Sequence, residues 1–339
     1  MTGWKKGSYA DNSPWVDRNL IQLIMNTKYL VDPELARALE GITTPALTLE
    51  SLPANRVALA NFLSSAPPAP GITVEEHHLP RPDGSALRVL VYWPTAPPTG
   101  GLLFFHGGGM VRGTADQYEA QSRYFAHRLG CVVVVVDYRL APEDPYPAGL
   151  DDSYLALRWL HDRADGWQLP PERIAVAGES GGGCIAAALA LYARDHNGPA
   201  ISAQFLQNPM LDDRTGTAAE PNPLPNVGEF LWTAANNRFA WGAVLGREPG
   251  GPDTPGYAAP GRVENFAGMP PSYLFIGELD LFLDENLRFA QNLLRHGVST
   301  ELHLYAGAYH GFMSFAPNAN LAQRAQEDFR GAMERHFRR

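Results

Sequence analysis

Only two cysteines, Cys131 and Cys184, occur in 339 residues. One lies in a β-branched run and the other in an Ala-rich segment, which argues against a disulfide framework or a thiolate metal site and for two buried, inert thiols. Positive charge is also in short supply: 27 Lys and Arg face 36 Asp and Glu, for a net charge of −9. Nucleic-acid binding leans on clustered cations against phosphate, so that partner class is set aside. The basic end, Glu334 to Arg339, reads as cations at a helix C-terminus. Long apolar runs are missing too. The most apolar stretch, Cys131 to Val136, is strand-sized, and the opening Thr2-Gly3-Trp4-Lys5-Lys6 has no apolar signal core. The expectation is a cytoplasmic protein without stable membrane insertion. No spacing among the ten histidines suits a metal ligand set, and neither a metal nor an organic cofactor is expected.

What is present is an ordinary globular composition, 45% hydrophobic and 19% charged, arranged in two regimes. Residues 1–70 carry helical patterns at Val16–Tyr29 and Pro33–Leu39 and end in the Pro-rich break Ala66-Pro67-Pro68-Ala69-Pro70; they read as an N-terminal helical cap segment. Residues 71–339 read as the main domain. Thr73–His78 and Ala86–Trp93 form an antiparallel pair around the turn Arg81-Pro82-Asp83-Gly84. Strands at Gly101–His106, Cys131–Asp137, Ile174–Ala177, Ala203–Gln207, Tyr273–Ile276 and Thr300–Tyr305 then alternate with helices at Gln117–Leu129, Leu150–Arg163, Ser180–His196, Glu285–His296 and Leu321–Phe337. Continuous apolar strands alternating with helices predict an α/β fold, a mostly parallel sheet of about eight strands with helices on both faces. The stretch from about 212 to 269 breaks this rhythm with many Pro and Gly and with Phe230, Trp232, Phe239 and Trp241. It reads as an insertion that caps the C-terminal edge of the sheet.

Chemistry concentrates in three places. Gly178-Glu179-Ser180-Gly181-Gly182 lies between an apolar strand and an Ala-rich helix, where flanking glycines permit the sharp turn that exposes a serine. His106-Gly107-Gly108-Gly109 ends another strand; its backbone N–H groups, with that of Gly181, can hold the negative oxygen of a tetrahedral intermediate. His106 itself reads as structural. A serine hydroxyl needs a base, and His310 is the histidine that follows the last strand. For the acid that orients the base, Asp280 follows the strand Tyr273–Ile276, Asp212 competes after Ala203–Gln207, and Asp284 suits the N-cap of the helix at Glu285. In Tyr138-Arg139-Leu140-Ala141-Pro142-Glu143 the Arg and Glu read as a structural ion pair bracing the catalytic loops. Trp4, Trp15, Phe230 and Trp232 are candidate walls of an acyl pocket.

The ordered set of these motifs, with Tyr146-Pro147-Ala148 and His310-Gly311-Phe312, resembles the bacterial hormone-sensitive-lipase family of α/β-hydrolase carboxylesterases. Met210–Arg214 and Trp241–Gly246 are most like the acetyl or heroin-type esterases. The resemblance implies an α/β-hydrolase fold with a helical cap, Ser180 as nucleophile, Asp280 as acid and His310 as base. It implies an oxyanion hole from Gly108, Gly109 and Gly181 with Gly107 supporting the loop, and a homodimer through the sheet edge. The implied activity is hydrolysis of short-chain carboxylic esters through an acyl-enzyme, with small-molecule esters as substrates. An amidase or lactonase, or a ligand-binding protein on the same scaffold like the plant gibberellin receptors, is the alternative. Two positions depart from the family pattern: Gly181 replaces the more usual Ala, and Leu281 replaces the Pro that usually follows the acid, which leaves the acid's loop less rigid.

Overall fold

Five consecutive valines, Val132–Val136, form a strand of which every residue is buried. β-Branched side chains favour the pleated backbone, and a run apolar on both faces must be covered on both. In the computed structural model, which describes residues 27–63 and 71–338, this strand sits inside an eight-stranded sheet. The strands are β1 (Thr73–Pro80), β2 (Ala86–Trp93), β3 (Gly101–Phe105), β4 (Val132–Val136), β5 (Ile174–Glu179), β6 (Gln204–Gln207), β7 (Ser272–Gly277) and β8 (Thr300–Tyr305). Their order is β1-β2-β4-β3-β5-β6-β7-β8. β2 is antiparallel to both neighbours, and the remaining pairs are parallel.

The apolar runs divide by strand alternation into two cores. Leu103, Phe105, Val134 and Val176 face the helices Ala148–Arg163, Gly181–Asp195 and Leu283–Arg295. Leu102, Phe104, Val133, Val135 and Ala175 face the other way, toward Glu119–Leu129 and Asn320–Phe337. The chain leaves β3 for β4 on one side and returns to β5 on the other. That reversal opens a crevice at the carboxyl ends of β3 and β5, where ligands bind in open α/β sheets. Register brings the two exits level, Phe105 opposite Gly178 and Glu179 opposite Gln207.

All eight strands fall where the sequence pattern places them, with ends shifted by no more than two residues. Two longer helices carry no clear signal in the sequence. Leu52–Leu63 precedes the sheet, and Ala234–Leu245 lies inside the 212–269 segment with Thr233 accepting from the Asn236 N–H as its N-cap. Trp4, Trp15, the Ala66–Pro70 break, the start of the Val16–Tyr29 pattern and Arg339 lie outside the described residues.

Three local expectations need correction. Arg139 does not pair with Glu143; it and Arg81 both bond the buried Asp152, while Glu143 pairs with Arg56 of the helix Leu52–Leu63. The motif does brace the loops, but through partners remote in sequence. Asp284 is no N-cap: the helix begins at Leu283, and Asp284 sits in its first turn bonded to Arg288 at 2.6 Å, the i,i+4 spacing that faces two side chains on a helix. Leu281 does not slacken its loop. It is buried in the core, and the loop is held by Leu279 N–H on Ala308 O, Gly228 N–H on Leu279 O and Leu283 N–H on Asp280 O.

Candidate active site

Ser180 sits between β5 and the helix Gly181–Asp195 with φ 54° and ψ −116°. Positive φ is strained for a residue with a side chain, so the surroundings must enforce it. Close packing does so: a Cβ on Gly178 would strike the carbonyl of Gly182, and one on Gly182 would strike the carbonyls of Phe105 and His106. Ser180 N–H donates to Gln207 O at 2.9 Å, and its own carbonyl accepts from Met210 N–H at 3.0 Å. The turn therefore presents its hydroxyl into the crevice on a rigid frame.

The Ser180 hydroxyl lies 3.0 Å from His310 Nε2, and His310 Nδ1 lies 2.8 Å from Asp280 Oδ2. A carboxylate only accepts, so Nδ1 carries the ring proton and Nε2 offers its lone pair to the serine. The other carboxylate oxygen, Oδ1, accepts from Phe282 N–H at 3.0 Å, which fixes the plane of the acid. Phe282 meets the imidazole edge-on at 5.1 Å, and Trp232 lies 6.1 Å from it. Ser180, Asp280 and His310 are all buried. Asp212, the competing acid, is elsewhere engaged: it bonds Arg214 at 2.6 Å and Arg288 at 3.2 Å. Burial works against its charge, and those guanidinium bonds more than offset this, so its pKa is lowered.

The glycine loop after β3 closes the other side. Gly108 and Gly109 have φ 118° and 66°, values that favour glycine. Their N–H groups have no acceptor among the described residues, and Gly181, first in its helix, has no intrahelical acceptor either. A Cβ on Gly181 would fall 2.9 Å from Gly109 N, so the glycine loop packs directly against the serine turn. Gly107 differs. Its N–H donates to the Tyr118 hydroxyl at 3.0 Å, and Tyr118 in turn donates to Glu179 Oε2 at 3.0 Å. Gly107 is thus committed to holding the loop and leaves the set of free donors. His106 stacks on Tyr138 at 4.3 Å, and its Nδ1 lies 2.9 Å from Gly107 O; burial lowers its pKa, which suits a neutral structural ring.

The cleft has a volume of about 70 Å³ and is walled by Leu59, Arg112, Leu231, Trp232 and Phe315 around Ser180 and His310. Of the aromatics expected as walls, Trp232 takes that place, whereas Phe230 packs against Tyr309 at 6.0 Å. Tyr118, Glu179 and Arg112 were not singled out from the sequence. Glu179 stood inside the serine motif, but Tyr118 belongs to no local pattern. Burial raises the Glu179 pKa, with the Tyr118 bond opposing it. No cluster of three or more His, Cys, Asp or Glu placed to hold a metal occurs among the described residues, and no helix there is long and apolar enough to cross a membrane.

Residues 102–314 match the family described as alpha/beta hydrolase fold. The chain is 35% identical over 297 residues to Esterase LipI of Mycobacterium tuberculosis, covering 85% of this chain and 90% of that one. In three dimensions it is similar to a bacterial heroin esterase, with a TM-score of 0.85, 36% identity, and coverage of 93% of this chain and all of the other. A more distant relative is the gibberellin receptor GID1A of Arabidopsis thaliana, 32% identical over 227 residues, 65% of this chain and 64% of the receptor.

Proposed function

Because this chain belongs to the α/β-hydrolase-fold family, we propose that it is a serine carboxylesterase acting on short-chain esters. The observation that carries the reading is the unbroken Ser180–His310–Asp280 chain, at 3.0 and 2.8 Å, beside glycine N–H groups that lack acceptors among the described residues. Similarity to esterases over nearly the full length supports the same reaction class.

His310 Nε2 takes the Ser180 proton as Oγ attacks the ester carbonyl, and Asp280 stabilises the imidazolium that forms. The tetrahedral oxyanion is held by the N–H groups of Gly108, Gly109 and Gly181; one such donor is worth about 2.7–4 kcal/mol in the transition state. His310 then protonates the departing alcohol. Water attacks the acyl-enzyme by the same route and releases the acid. The histidine within hydrogen-bond reach of the serine favours turnover over a purely receptor-like role.

A cavity of about 70 Å³ supports short acyl groups, since at about 10–15 Å³ per water position it holds only a handful of water-sized groups. We read the helix Leu52–Leu63 and the 212–269 segment as the cap, because they supply Leu59, Leu231 and Trp232 to the cleft. Two buried free thiols suit a reducing compartment such as the cytoplasm, and pairing of copies through the sheet edge completes the proposal.

The test is a series of 4-nitrophenyl esters from acetate to decanoate with wild type and Ser180→Ala. Fast turnover of acetate and butyrate is expected, with kcat lowered by about 10⁴–10⁶ in the variant. A variant near wild-type activity would sink the mechanism, and faster hydrolysis of the long chains would sink the size argument. Equal activity on matched amides would move the assignment toward an amidase.

A further inference from the structure

Arg112 is out of keeping with Arg56 and Arg139, which brace the loops around the cleft. Arg56 is fully engaged, its Nε donating to Val111 O and its two other nitrogens to Glu143 and to Ala141 O. Arg139 is held by Asp152 and Ala148 O. Arg112, three residues beyond the glycine loop, lines the cleft with Ser180 and His310, yet its guanidinium has no hydrogen-bond or ion-pair partner among the described residues, and its buried Nε is left without an acceptor. Burial pushes its pKa down with no carboxylate offsetting that effect. The guanidinium faces Trp232, whose ring centre lies 5.6 Å from its central carbon. Such a cation–π contact offsets only part of the water that a guanidinium loses when it is drawn into a cleft. Glu179, the carboxylate that lines the cleft, does not pair with it and is bonded instead to Tyr118 and Ser314.

A planar fork of donors in a small cleft matches one kind of partner, an anion that presents two oxygens in a plane. A carboxylate presents its two oxygens in just such a plane. We propose that Arg112 is a specificity residue, and that the preferred substrates are short esters bearing a free carboxylate, bound to its guanidinium while Ser180 attacks the ester carbonyl. The inference rests on the carboxylesterase reading and names its substrate class. Trp232 stacks against the same guanidinium and stands 6.1 Å from His310, so it links the anion site to the reacting centre.

The carboxylate can lie in the acyl or the alcohol half, and two matched pairs separate these sources: monoethyl succinate against ethyl butyrate, and 3-acetoxypropanoate against propyl acetate. With wild type, the anionic member of one pair should have the higher kcat/KM. Arg112→Gln should cut that anionic-to-neutral ratio about 10- to 100-fold, the usual worth of a charge-assisted hydrogen-bonded pair. Calorimetric titration of Ser180→Ala with the two anionic esters reads recognition without turnover, and Arg112→Gln in that background should weaken binding to the same degree. Neutral members preferred in both pairs by wild type, or a ratio unmoved by Arg112→Gln, would overturn the inference while leaving the esterase reading intact. Hydrolysis of none of the four esters would overturn that reading instead, and anion binding by Ser180→Ala would still decide the role of Arg112.

Discussion

Replacing Asp280 by asparagine exchanges one oxygen for an NH₂ group, and the structure dictates which one. Oδ1 accepts from the Phe282 N–H and Oδ2 from the ring N–H of His310. With its oxygen kept on Phe282, the introduced asparagine turns its NH₂ toward His310; flipped, it would set that NH₂ against the Phe282 N–H, donor against donor. Asn208 Nδ2, 3.4 Å from His310 Nδ1, adds a second donor on the same side. The imidazole is then driven to the tautomer with its proton on Nε2, aimed at the Ser180 hydroxyl 3.0 Å away, and the base is lost. The expected loss is about 10⁴-fold in kcat, or about 5.4 kcal/mol at about 1.36 kcal/mol per decade. The assay is the steady-state rate on 4-nitrophenyl butyrate, normalised to folded protein by circular dichroism. Asp212→Asn is the control. It weakens bonds to Arg214 and Arg288 and should cost about 1–3 kcal/mol of stability, with kcat of the folded enzyme within a few-fold of wild type. Asp280→Asn within tenfold of wild type, or a thousandfold loss in Asp212→Asn, would refute the assignment of the acid.

Two further outcomes follow from the same geometry. Tyr118→Phe removes the acceptor of the Gly107 N–H and a donor to Glu179; an unsatisfied buried N–H should cost about 1–3 kcal/mol in a urea melt, and kcat should fall more than KM changes as the loop slackens, whereas an unchanged melt and kcat would show that this bond holds nothing. Glu285 is pushed well above the usual carboxylate range by burial and then by Asp212, although Leu211 N–H and the Thr215 hydroxyl bond it. Its folded form keeps the proton more readily than the unfolded chain, so its contribution is fully present below about pH 4.5 and is lost as pH rises through the raised value. Glu285→Gln should therefore raise the melting temperature relative to wild type at pH 8 and lose that advantage near pH 4; a difference independent of pH would refute the linkage.

Much of this was legible in one dimension because it is written locally. Strand periodicity and apolar runs mark the eight strands, and glycine at 178 and 182 marks the elbow, since a Cβ at 178 would strike the Gly182 carbonyl and one at 182 the carbonyls of Phe105 and His106. His310 could be picked out by its place after the last strand. Pairings across long separations were not legible. Arg139 and Glu143 looked like partners because they are near in sequence, but a β-strand exit and a turn aim them apart, and their partners come from 13 and 87 residues away. Asp284 fitted a capping rule, but the chain enters its helix two residues earlier than the rule assumed.

The amino-acid sequence by itself determined the order of elements, the serine turn, the glycine loop and the histidine after β8, because each depends on neighbours within a few residues. Tertiary structure alone decided which acid meets the histidine. Asp280 and Asp212 both follow strands, and it is packing that commits Asp212 to two arginines and leaves Asp280 facing His310. It also decided that Gly107 is tied to Tyr118 while, among the described residues, Gly108 and Gly109 have no acceptor and Arg112 stands in the cleft without a counter-charge. A charge or donor has meaning only through what lies a few ångströms away, and those distances are set by the fold.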